Sequence, residues 1–203
     1  MKNNFFEYLD YYIPNPKCEL NYSNDYELLL ATVLSAQCTD KRVNEVTKVL
    51  FKYSLREISL MSLHDIEQII KSCGSYTKKA IYVKNIAEIL LNNYNGIVPN
   101  DRLILESLPG VGPKTCSVVL KNIYNVPAIP VDTHVQRVCI RLGIANDKNT
   151  PSEIEAILKN NIPVNKWNRV SEQILLFGRY YCTAINPKCV NCLFKEMCTY
   201  KKN

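Results

Sequence analysis

Leu108-Pro109-Gly110-Val111-Gly112-Pro113-Lys114-Thr115-Cys116 reads as a tight hairpin feeding a helix. Gly110 and Gly112 are expected to supply positive φ and to let another backbone approach closely. Pro113 suits a first helical position, where its missing N–H is no loss. Cys116, Val119, Leu120 and Ile123 then recur at helical spacing as one apolar face, with Lys114, Ser117 and Lys121 on the other. The N–H groups at such a start, with the positive end of the helix dipole, can hold a phosphate.

Lys114 stands out because a cation in the first turn faces the wrong end of the macrodipole. That setting disfavours the ammonium and favours the neutral amine a nucleophilic lysine requires. The plain alternative is a surface lysine touching phosphate. Further on, Val131-Asp132-Thr133-His134 offers Asp132 as the N-cap of a helix from Thr133, a role compatible with catalysis.

At 203 residues the chain suffices for one large domain or two small ones with real cores. The net charge of +6, from 25 Lys+Arg against 19 Asp+Glu, is spread along the chain and suits a polyanionic partner. No apolar run is long enough to span a bilayer. The start, Met1-Lys2-Asn3-Asn4-Phe5-Phe6, soon meets Glu7 and Asp10 and resembles neither a signal nor a transit peptide. A bacterial cytoplasmic location is the corresponding expectation. Nine cysteines, an odd number with five of them scattered, suit a reducing compartment and one metal site better than a disulfide framework.

In chain order the pattern is helical throughout. Residues 5–12 form a short amphipathic piece stopped by Pro14 and Pro16. Tyr26, Leu30, Val33 and Leu34 mark a helix from Asp25 to about Gln37. Thr39 caps a helix through Val43, Val46 and Leu50. Ser62 opens another with Ile66, Ile69 and Ile70 inward and Gly74 as its stop. A long helix covers residues 76–93, ended by Gly96 and Pro99. After the hairpin, Val135, Val138, Cys139 and Leu142 form one buried face, opposite His134, Arg137 and Arg141. Thr150-Pro151-Ser152-Glu153 is a capping box, and Trp167, Val170, Ile174, Phe177 and Tyr181 are the core stripe of a last long helix. No alternating strand pattern or internal repeat appears, so the fold class is all-α.

Cys182, Cys189, Cys192 and Cys198 give C-x6-C-x2-C-x5-C within seventeen residues. Four thiolates ligate zinc or an iron–sulfur cluster, and spacing alone chooses poorly between them. Lys188 and Lys195 lie on the loop, which suits a metal holding a basic loop in shape for a phosphate backbone.

Together these features resemble endonuclease III, the family of helix-hairpin-helix DNA glycosylases with AP-lyase activity, over roughly residues 20–200. The resemblance rests on Leu34-Ser35-Ala36-Gln37-Cys38-Thr39-Asp40, Leu108 to Thr115, Val131 to His134, and the cysteine tail. It implies one structural 4Fe–4S cluster on Cys182, Cys189, Cys192 and Cys198. It also implies a six-helix barrel domain at 21–128, with the helix-hairpin-helix at about 101–122, and a cluster domain from 1–20 plus 129–203. A DNA groove would lie between them, with Lys114 on one wall and Asp132 on the other.

The implied partner is double-stranded DNA carrying damaged bases or abasic sites, handled by a monomer, with oxidised pyrimidines as the family's lesion class. The nucleotide is rotated out of the stack, while Gly110 and Gly112 grip phosphates, with a metal cation held by the hairpin carbonyls. His134 and Lys188 are further candidate DNA contacts. Lys114 attacks the sugar C1′, forms a Schiff base and permits β-elimination, and Asp132 stabilises positive charge on the sugar or helps activate the amine.

Adenine-mismatch glycosylases of the MutY type share the cysteine spacing and hairpin. They lack this lysine and use a glutamate near Gln37, where this chain has no carboxylate. By the same resemblance Gln37 enters the space the flipped base vacates. Where the family usually carries a leucine wedge this chain has Ser75, so either Tyr76 stacks in its place or the wedge is weak. Pro113 replaces a basic residue common in the hairpin, removing one phosphate contact. Readings from other classes are a non-enzymatic helix-hairpin-helix DNA-binding scaffold and a redox-sensing DNA binder.

Overall fold

The structure, a computed structural model, describes residues 4–200. The first three residues of the start quoted above lie outside them. Helices α1 Phe5–Tyr12, α2 Asp25–Leu34, α3 Asp40–Leu50, α4 Leu55–Leu60, α5 Leu63–Ile70 and α6 Tyr76–Tyr94 come first. They are followed by α7 Arg102–Ser107, α8 Pro113–Tyr124, α9 Thr133–Arg141, α10 Pro151–Asn161 and α11 Trp167–Tyr180. No strand occurs among the described residues, in line with the all-α expectation.

The chain divides into two compact units. One is continuous, Glu19–Tyr124; the other joins Met1–Cys18 to Asn125–Asn203. In the continuous unit α2 is the central element. Every residue from Leu28 to Leu34 is buried, so the helix is covered on all sides rather than along one stripe, with α3, α6 and α8 against it. Its start is fixed by Asn24, whose side chain accepts from the Glu27 N–H, and by Asp25, which accepts from the Val98 N–H at 2.8 Å.

The sequence expectation placed the end of α2 near Gln37, but the helix stops at Leu34. Ser35 there turns its hydroxyl back onto the Thr32 carbonyl at 2.8 Å, and Thr39 opens α3 by capping the Arg42 N–H. A further helix, α4, has no counterpart in the periodic reading. It is only six residues long and is set by a complete Ser54–Glu57 capping box. Gly74 is not the left-handed stop expected for α5; Ser75, with φ 56°, takes that conformation.

In the discontinuous unit α1 and α9 both pack on α11, and α10 packs on α9. Phe5, Phe177 and Phe194 are buried together, with Phe177–Phe194 centroids 5.1 Å apart. Each buried ring contributes roughly 1.5–3 kcal/mol by its area alone. Polar groups stitch the same elements: Arg169 pairs with Asp10 at 2.7 Å, and Gln173 donates to the Ile13 carbonyl at 3.0 Å.

Candidate active site

The hairpin between α7 and α8 is built from its own backbone. The Val111 N–H donates to the Leu108 carbonyl at 3.1 Å, and both side chains are buried. Gly110 has φ 77°, and a Cβ there would stand 2.4 Å from the Tyr82 ring. Close packing and positive φ together exclude any larger residue. Gly112 differs from expectation, because its φ is ordinary and a Cβ would meet nothing within 4 Å. Its value is the open space beside it, which leaves the backbone approachable.

The Gly112 carbonyl accepts from the Cys116 N–H at 2.9 Å, so the α8 ladder starts there and Pro113 takes the first helical position. Lys114 is exposed in that first turn. The expected polar face is narrower than the sequence suggested. Ser117 and Lys121 are buried, and the Ser117 hydroxyl accepts from Arg102 at 3.0 Å, which joins α7 to α8.

Gln37 and Ser75 are brought together within the same unit. Each is an exposed residue in the left-handed region, at φ 54° and 56°, a conformation that costs a non-glycine residue roughly 1–2 kcal/mol. A Cβ on Gly74 would sit 3.7 Å from the Gln37 carbonyl. The Gln37 turn is closed by the Cys38 N–H on the Ser35 carbonyl at 3.0 Å. Beneath it Cys73 is buried, and burial first, then neighbouring Cys38, pushes its thiol up to about 11. Tyr76, half-buried, opens α6 right after Ser75.

In the other unit Asp132 caps α9, one carboxylate oxygen accepting from the His134 and Val135 N–H groups, both at 2.9 Å. The backbone is thereby fixed around it. His134 is half-buried, and Arg137 Nη2 approaches its Nδ1 at 3.1 Å. Burial holds the imidazole below its ordinary range, the Asp132 charge opposing and the Arg137 charge adding to that shift. A Cβ on Gly178 would lie 3.1 Å from His134, so α9 and α11 meet closely there.

Cys182, Cys189, Cys192 and Cys198 line one cavity of about 600 Å³, with Tyr12, Phe177 and Tyr181 also on its walls. Burial pushes the Cys192 thiol up, and nearby Cys182 and Cys198 add to it. Among the described residues no three His, Cys, Asp or Glu side chains are drawn together closely enough for a single metal ion. Arg141 donates to the Thr183 carbonyl at 2.7 Å and reaches the Cys182 sulfur at 3.5 Å. Lys188 is exposed, its ammonium 4.9 Å above the Tyr181 ring.

A family model described as HhH-GPD superfamily base excision DNA repair protein matches residues 30–164. The endonuclease III of Bacillus subtilis (strain 168) is 44% identical over 187 residues, 91% of this chain and 85% of that protein. The Escherichia coli K12 endonuclease III is 40% identical over 93% of this chain and 90% of its own length. A solved trapped endonuclease III–DNA covalent intermediate superimposes with a TM-score of 0.91 at 42% identity, covering 95% of this chain and 92% of that one.

The chain belongs to the endonuclease III family. Against that background, three features of this endonuclease III relative escape a sequence reading. Tyr82 is the floor of the hairpin, yet in sequence it is one more residue on a long helix. Arg137 and Arg141 look like a basic outer face, but they donate inward, to the Gly178, Cys182, Thr183 and Ala184 carbonyls. Lys79, the second of two adjacent lysines on α6, is buried under the Gln37 turn. Helical spacing shows which face a residue occupies, not which carbonyls lie beside it.

Proposed function

We propose the following division of labour for a base-excision DNA glycosylase with abasic-site lyase activity. The carrying observation is the match to endonuclease III along nearly the whole chain, together with an exposed lysine one residue inside α8, directly after the Gly110–Gly112 hairpin. The substrate is double-stranded DNA with a damaged base or an abasic site, oxidised pyrimidines being the lesion class. The enzyme works as a monomer, in a bacterial cytoplasm at the nucleoid.

The hairpin amides take the strand's phosphates, with Gly112 as the point of closest approach because nothing occupies the space a side chain would need. Exposed Lys188, with the chain's positive balance, adds sequence-independent affinity. His134, half-buried in the first turn of α9, contributes a further contact. Gln37 enters the space left by the extruded base, and Ser75 with Tyr76 lies at the gap in the stack.

Lys114 is the nucleophile. Its neutral amine attacks C1′ as the glycosidic bond breaks, and the base leaves with the bonding electrons and takes up a proton. Loss of a proton and opening of the sugar ring give the Schiff base. A proton then leaves C2′ and the 3′ phosphate departs in β-elimination. Asp132, its backbone surroundings fixed by the α9 cap, stabilises the positive charge that develops on the sugar.

The donor set at Cys182, Cys189, Cys192 and Cys198 fits a 4Fe–4S cluster. Four thiols face a cavity with room for a group larger than one ion, and basic Arg141 stands beside the Cys182 sulfur. When bound, the cluster supplies structural cross-linking of the loop. Lys114 and the absence of a carboxylate at Gln37 favour this reading over a MutY-type adenine glycosylase.

The test is borohydride reduction of enzyme on a duplex containing one abasic site. The wild type gives a covalent adduct and Lys114→Ala none. A folded wild type that traps nothing overturns the nucleophile assignment and leaves a DNA-binding scaffold.

A further inference from the structure

Lys79 is 4% exposed in the middle of the continuous unit. Burying an ammonium is expensive unless oxygen acceptors receive its protons, and a methionine would fill the same space without that cost. Its Nζ donates to the Leu34 carbonyl at 2.9 Å and to the Ala36 carbonyl at 2.7 Å.

The first acceptor is the last residue of α2, where helix carbonyls lack intrahelical donors and the dipole favours a cation. The second belongs to the residue just before Gln37. Because a peptide unit is planar, holding the Ala36 oxygen fixes the orientation of the Gln37 N–H as well. Gln37 then has only its own rotations left, and the first of these sits in the left-handed region at φ 54°. A non-glycine residue stays there only when its surroundings over-determine the backbone. The Cys38–Ser35 hydrogen bond closes the turn, and Lys79 ties it to the buried end of α2.

We propose that Lys79 is a positioning residue for Gln37: by fixing the Ala36–Gln37 peptide plane it sets the direction in which the Gln37 amide reaches into DNA. This rests on the reading of Gln37 as the group that fills the vacated base position. A lysine that merely pins α6 to α2 would hold the same two carbonyls, so the test separates the two roles.

The measurement is single-turnover base removal by the holoenzyme from a duplex carrying one thymine glycol, with cluster absorbance and the urea midpoint recorded for each variant. Gln37→Ala and Lys79→Met are each expected to slow base removal about tenfold, the scale of a slightly misplaced group. The double variant is expected to be no slower than Gln37→Ala alone, because Lys79 acts through Gln37. If Lys79→Met slows the reaction by the same factor with and without Gln37, Lys79 is only a pin and the inference is overturned. If Gln37→Ala alone leaves the rate unchanged, the reading of Gln37 fails first, and the inference with it. Should Lys79→Met not fold, Lys79→Gln, polar but one bond too short to hold both carbonyls where the ammonium holds them, goes through the same cycle with the same two outcomes.

Discussion

Between Leu108 and Pro113 the chain holds itself, through a carbonyl–amide turn, a glycine at φ 77° over Tyr82, and two buried apolar side chains. Between Cys182 and Cys198 it leans on groups from elsewhere. Arg137 and Arg141 hold the early carbonyls, Tyr12 accepts from the Leu193 N–H and donates to the Asn191 carbonyl, and four thiols face a cavity. Both loops present polar groups, but the hairpin turn closes on its own backbone and takes one ring from outside, Tyr82, as its floor. Such a turn can be tuned by one glycine. A loop closed by thiols has a stability tied to whatever those thiols bind.

The largest effect should come from breaking that dependence. Removing the proposed cluster by chelation, or substituting Cys192→Ser, should cost residues 182–198 their amide-exchange protection, while residues 108–124 keep theirs. Equal loss in both segments would mean the hairpin is less independent than its hydrogen bonds imply.

The two hairpin glycines sharpen the contrast. Gly110→Ala should destabilise by about 3 kcal/mol, combining left-handed strain with a collision against the Tyr82 ring. Gly112→Ala should change the unfolding free energy by less than about 0.5 kcal/mol, yet weaken binding to duplex DNA, since its added methyl occupies the open space proposed for the strand. If Gly112→Ala binds DNA as well as wild type, the approach to that backbone is not where phosphates sit.

The smallest effect concerns pH. His134 has its pKa lowered in the fold, chiefly by burial, from an ordinary value of 6.5. The unfolded chain therefore takes up the proton first as pH falls below that value, and stability drops from there down to the lower folded pKa. Urea midpoints should decline between neutral and mildly acidic buffer, and His134→Gln should flatten part of the decline. An unchanged slope would mean the imidazole titrates alike in both states.

Much of this arrangement was legible in the residues. Caps announce themselves by side-chain chemistry, and Asn24, Thr39, Ser62, Asp132 and Thr150 each cap a helix in the structure; the last four were readable in advance. Pro113 and the apolar spacing after it located α8. Periodicity failed where burial is not one-sided. The α2 helix is enclosed all round, so its apolar run did not mark where it ends, and α4 is too short to show a period. Two details of the site were out of reach for another reason. Gln37 and Ser75 have left-handed backbones that no glycine or asparagine advertises, and the inward turn of Arg137, Arg141 and Lys79 depends on carbonyls distant in sequence.

The discontinuous unit carries a consequence for synthesis. Asp10 finds Arg169, and Phe5 and Tyr12 find Phe194 and Phe177, only after the whole intervening continuous unit has left the ribosome. Residues 19–124 can condense while translation is still under way. The leading helix must wait, with its aromatic rings uncovered, until its late-arriving neighbours emerge, and during that interval the nascent chain is most exposed to aggregation.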